Sequence, residues 1–165
     1  MYGSRIAVVA PIPGDPLAGL SERRLHRLYA YLEAKRGSRE FAARRDIDPL
    51  DFTYILGNIV LLDVLYQPLR FRYRLVGSLL STKVGYDMTG KFLHEHPHPD
   101  YREYMLDCYA EIIRSRLPSG GNYDLFIDQE IKRYQCLRVP LSDDGETIDR
   151  VIAAVVFGAA PRPAG

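Results

Sequence analysis

Residues 71–90 read F-R-Y-R-L-V-G-S-L-L-S-T-K-V-G-Y-D-M-T-G, and the rest of the chain is organised around them. The first six alternate Phe71, Tyr73 and Leu75 with Arg72, Arg74 and Val76. A period of two built from aromatic and branched residues predicts a strand. Gly77 ends it, where the backbone must turn. Leu79, Leu80 and Val84 follow in a stretch too brief for a full helix, and Gly85 can close it in the left-handed conformation of a helix C-cap. Asp87 to Gly90 make a second turn. A strand that feeds short helical turns across its own face encloses a pocket between turns and sheet.

Upstream, residues 59–66 (I-V-L-L-D-V-L-Y) are apolar except for Asp63 and predict a strand that forms a hairpin with 71–76. Before it, Asp48 is a candidate N-cap with Pro49 at the first helical position, and Phe52, Ile55 and Leu56 form the apolar face of a short helix. Residues 21–35 predict an amphipathic helix capped by Ser21. Its Leu25, Leu28, Tyr29 and Leu32 fall on one stripe that must be buried against something. Residues 1–20 are rich in proline, glycine and alanine and read as an N-terminal tail, with 6–10 either a short strand or an arm docking on a second subunit. Downstream, Phe92 and Leu93 read as core and 94–99 as a polar loop. A helix follows over 101–117 with Asp100 as N-cap, broken by Pro118-Ser-Gly-Gly. Strands are expected at 122–128, 131–141 and 150–157, with a turn at Asp144-Gly145. A short tail over 161–165 closes the chain.

Two strands, then helices, then three strands predict an α+β fold with a five-stranded antiparallel sheet. Residues 151–157 are apolar on both alternating faces, so both faces of that strand must be covered. The helices after Gly77 can cover one and the N-terminal helix the other. The 165 residues, 47% hydrophobic, predict a single soluble domain over 21–160. With 22 basic and 21 acidic residues and a net charge of +1, the chain has no general attraction to nucleic acid or anionic lipid. Two cysteines make no disulfide framework, and the apolar run at 6–10 stops at Pro11, too short for a signal peptide or a membrane span. The expectation is a cytoplasmic protein.

His94, His96 and His98 invite a metal reading, but Pro97 and Pro99 push the loop towards polyproline II, in which residues two apart diverge. A solvated loop without metal is expected. No glycine-rich phosphate loop, H-E-x-x-H, G-x-S-x-G or Cys-x-x-Cys occurs. The acid pairs Asp124 with Asp128 and Asp143 with Asp144 sit at strand ends, where solvated carboxylates are ordinary, so no catalytic residue is expected. Asp63, Arg72, Arg74, Lys132 and Arg138 form the polar set of interest, as cross-strand bridges or, more sharply, as an anion site or subunit contact. The pocket is expected to be lined by Tyr73, Leu75, Phe92, Met105, Cys108, Ile112, Tyr134 and Cys136. Plain core is the other reading of those residues, because core and pocket share one composition.

These features resemble the PAS family of sensory domains, and more closely a proteobacterial subfamily with F-R-Y-R-L-V-G, D-x-T-G and P-L-S-D-D-G, which stand here in that order at 71–77, 87–90 and 140–145. The resemblance covers roughly 22–158. It implies a last strand lying between the first and fourth, and a sensory or interaction domain, not an enzyme, that binds a small ligand or a protein partner and signals in trans. The family's flavin motif N-C-R-F-L is absent and no histidine lies within 101–117, so neither flavin nor haem is implied. The family commonly dimerises through a helix preceding the first strand, which makes Leu25, Leu28, Tyr29 and Leu32 the expected homodimer interface. The alternatives are a small-molecule enzyme using the same pocket and a dimerisation scaffold without ligand.

Overall fold

The computed structural model describes residues 6–9, 15–127 and 129–158, with residues 6–9, 126 and 127 described for backbone alone. Most of the expected tails and Asp128 lie outside that description. One antiparallel sheet runs through the molecule. Its strands are β1 (Ile6–Val9), β2 (Ile59–Leu65), β3 (Arg70–Val76), β4 (Ser119–Ile127), β5 (Glu130–Leu141) and β6 (Arg150–Phe157), in the spatial order β1-β4-β5-β6-β2-β3. The five expected strands are present and the last lies between the first and fourth of them. Ile6–Val9 adds a sixth, paired with the outer edge of β4 from Asn122 to Leu125.

Alternation along the strands divides the sheet into an inner and an outer face. On β6, Val151 and Ala153 belong to the inner core while Ile152, Ala154 and Val156 belong to the outer one. The inner core is covered by α2 (Ser78–Val84) and α3 (Pro99–Ser115), the outer by α1 (Arg23–Arg36) and the short turns before β2. In α1, Leu25, Leu28 and Leu32 are buried, and Glu22 caps the helix by accepting the Arg24 amide at 3.2 Å. Ser21, the expected cap, sits one residue earlier. The outer face also holds Gln135, fully buried. Its Oε1 accepts the amides of Ser21 (3.1 Å) and Glu22 (3.0 Å), and its Nε2 donates to Asn122 Oδ1 at 2.8 Å. These bonds satisfy amides at the start of α1 and fasten it to the sheet.

Three local expectations are corrected. The segment after Gly77 is a two-turn α-helix, closed by Gly85 at φ 84° in the expected left-handed conformation. Ser119-Gly-Gly opens β4 rather than merely ending a helix, because a side chain on Gly120 would meet the carbonyl oxygen of Pro16 at 1.9 Å. The alternation of β3 breaks at Arg74. Leu62 pairs with Tyr73 but Leu61 with Leu75, leaving Arg74 as the extra residue of a bulge.

Candidate ligand-binding site

Between the inner face, α2 and α3 lies a cavity of about 70 Å³. The sheet contributes Val60, Tyr73, Val76, Leu125, Tyr134, Val155 and Phe157, and the α2 side contributes Leu80, Val84, Tyr86 and Met88; His96 and Tyr101 close it. None of these lining residues is an acid, a lysine or an arginine. The bulge decides which part of β3 takes part. Past Arg74 the phase inverts, so Val76 turns inward to the cavity and Leu75 turns out, 43% exposed. Leu75 is therefore no cavity residue. Phe92 is also displaced from it: half-buried, it bridges to Arg72 in the ladder, stacks on His94 at 5.1 Å and lies under Arg70 at 5.5 Å. Of the other expected residues, Tyr73 and Tyr134 line the cavity. Met105, Ile112 and Cys136 are buried in the inner core, and Cys108 is half-buried at its margin.

His96 corrects the expectation of a solvated loop. It is 3% exposed, with its ring against Tyr101 at 4.5 Å between centroids. Its Nδ1 accepts the His98 amide at 3.2 Å, which leaves Nε2 to donate to the Tyr86 hydroxyl at 2.9 Å. Both ring nitrogens are thus engaged. Burial, and then the nearby His98 and Arg102, depress its pKa to about 4, so the imidazole is neutral at physiological pH. Burial also pushes Tyr86 up to about 12 and Tyr73 and Tyr134 well above their ordinary range. The cavity is uncharged. The hydroxyl of Tyr134, one of the lining residues, is buried and has no hydrogen-bond partner among the described residues. The Cys136 thiol is raised by burial, which keeps it protonated and inert.

The expected polar set separates into three. On the outer face Asp63, with its side chain 9% exposed, is met by Arg72 at 3.1 Å, Arg74 at 3.1 Å and Arg150 at 3.5 Å. Lys132 lies apart, its Nζ donating to the Lys83 carbonyl at 3.4 Å. Arg138 is on the opposite face, 1% exposed in the inner core. The residues that sequence reasoning missed are mainly Val76, Tyr86, Met88 and His96. The Gly-Tyr step at 85–86 was the one available signal for Tyr86.

The four residues expected at a dimer interface are also placed. Leu25, Leu28 and Leu32 are 0–1% exposed, closed off by the chain's own sheet, and so present no surface to a partner. Tyr29 is half-buried beside a surface groove of about 450 Å³ that Arg36, Phe41 and Arg116 also line.

Among the described residues no helix is long and apolar enough to cross a membrane, and no group of three or more His, Cys, Asp or Glu side chains could hold a metal ion. No curated protein matches the chain. A family model described as the PAS domain matches residues 20–155, from the buried Leu20 through all but the last two residues of β6. With its antiparallel sheet, central last strand and helix-covered inner cavity, the chain belongs to the PAS domain family.

Proposed function

We propose that this domain is a cytoplasmic sensory and interaction module whose inner cavity takes a small neutral ligand, largely apolar with one hydrogen-bonding group, and that occupancy is passed to a separate protein in trans. PAS domains are generally sensory modules rather than enzymes. The observation that carries the reading is the Tyr134 hydroxyl, buried without a partner among the described residues in the wall of an uncharged cavity. A buried hydroxyl left unpaired costs about 1–3 kcal/mol, which a ligand acceptor or donor would recover. The uncharged lining supports a neutral ligand, since an ion would be desolvated there without compensation. A volume of about 70 Å³ is small against the ~300–1,000 Å³ of common ligand pockets, so a ligand of ordinary size requires the cavity to widen. Any homodimer built around α1 uses the surface beside Tyr29 rather than the three buried leucines.

The test is native mass spectrometry of the purified protein beside its denatured mass. A retained small molecule is expected, and Leu80→Trp, which fills the cavity, should release it. Identical native and denatured masses would favour a second reading, a scaffold without ligand, which the small volume already supports.

A further inference from the structure

We propose a second ligand site, separate from the inner cavity: the groove between α3 and the start of β4 binds small monocarboxylates through Arg138. The groove encloses about 410 Å³ and is lined by Tyr104, Cys108, Ile112, Leu117, Ser119 and Arg138, among others. Arg138 is buried, yet it remains charged in any protein environment. Its Nη1 donates to the Tyr123 hydroxyl at 2.8 Å, its Nη2 donates to the Met105 thioether at 3.6 Å, and the Tyr109 hydroxyl also faces the guanidinium as a hydrogen-bond partner. Its Nε has no partner among the described residues. The rings of Tyr123 and Tyr109 lie 5.1 and 5.6 Å from the guanidinium.

Among the described residues no carboxylate pairs with Arg138. A buried charge is ordinarily paired, so this one calls for an anion from outside. Nε has no partner among the described residues and Nη2 has a weak sulfur acceptor, so a carboxylate that displaced the Met105 thioether would take this edge as the fork that grips it through two parallel bonds. Its register neighbours on the sheet, Ser119 and Ala153, are both small. Ile112 and Leu117 offer apolar surface to a short carbon chain. Asp15, Asp107 and Glu111 stand at the rim, where they oppose any second negative charge. The combination selects one carboxylate on a short apolar chain over dianions and over phosphate.

The test titrates straight-chain monocarboxylates from acetate to hexanoate, at fixed ionic strength, into the full chain. The readout is the Nε–H resonance of Arg138 by NMR, with butyramide and succinate as controls. At least one monocarboxylate should move that resonance downfield and saturably. It should bind about tenfold or more tighter than the neutral butyramide, and more tightly than succinate. Leu117→Glu, an exposed position whose change leaves the core intact, should weaken binding by a similar factor; it keeps the test available if Arg138→Gln does not fold. An unmoved resonance across the whole series overturns the site, as does equal binding of butyramide. Neither outcome bears on the inner cavity, which Leu80→Trp tests separately.

Discussion

A β-carbon on Gly77 would lie 2.2 Å from the carbonyl oxygen of Gly57, and the Gly77 amide already donates to the Ile59 carbonyl at 2.7 Å. The joint between β3 and α2 is therefore held by backbone against backbone, with no flexible side chain to yield. Gly77 has an ordinary φ of −59°, so the constraint is packing. Gly90 is the opposite case, with φ at 84° and open space around it. Gly77→Ala should cost about 1–3 kcal/mol through overpacking, or more if the joint separates. Gly90→Ala should cost about 1 kcal/mol from its left-handed backbone. Urea unfolding of both variants gives the order, and a larger loss for Gly90→Ala would contradict this account.

His96 should make stability depend on pH. Its folded pKa, about 4, lies below the ordinary 6.5 of an unfolded histidine. Between those values the unfolded chain binds a proton that the folded one refuses, so stability falls as pH drops from 6.5 towards 4. The contribution is about 2–3 kcal/mol at the acid end. His96→Gln, which cannot titrate, should remove it. The measurement is the wild-type minus variant unfolding free energy at pH 7 and pH 5. A difference that does not shrink at the lower pH would show that the imidazole is not buried neutral.

Gln135→Leu should loosen α1 before it loosens the sheet. The variant leaves the amides of Ser21 and Glu22 and the Asn122 side-chain oxygen without that partner, a loss of about 2–4 kcal/mol. Amide hydrogen exchange should accelerate most in residues 23–32 and least in β6. Uniform acceleration throughout would mean that the glutamine supports the whole fold rather than the docking of one helix.

Leu28→Ala should cost about 2–5 kcal/mol, the range for a core leucine, because Leu28 is 1% exposed within a single chain. Leu25→Glu with Leu28→Glu should abolish the folded circular dichroism spectrum. A double variant that stays folded and merely halves its mass in sedimentation velocity would restore the leucines to a subunit interface.

The outline of the fold was legible because its signals are local and repeated. The outer-core stripe of α1, the two-faced apolar pattern of 151–157 and the left-handed cap at Gly85 are each set by a few neighbouring residues. What could not be read depends on partners distant in sequence. The alternation of 71–76 is regular in the letters, and nothing in them announces that the chain skips a step at Arg74, which exchanges Leu75 for Val76 in the cavity wall. His96 lies in a run that looks solvated, and only the packing of Tyr86 and Tyr101 around it brings it inside. Ser119-Gly-Gly reads as a breaker until Pro16, over 100 residues earlier, comes to rest against Gly120. The apolar stripe of α1 correctly demanded cover, but the pattern of a stripe cannot say whether that cover is its own sheet or a second molecule.

The division of β6 between two cores has a consequence for how the molecule melts. Consecutive residues of that strand report to opposite sides, Ile152 and Ala154 to one, Val151 and Ala153 to the other. The partition between the cores is a single backbone thick, so neither side can lose its order while the other keeps a wall to pack on. The chain has no tryptophan, and tyrosines crowd the inner side while the longest outer element is helical. Tyrosine fluorescence is therefore weighted to the inner side, while helical circular dichroism reports both, α2 and α3 on one side and α1 on the other, and their denaturation curves should superimpose as a single cooperative transition.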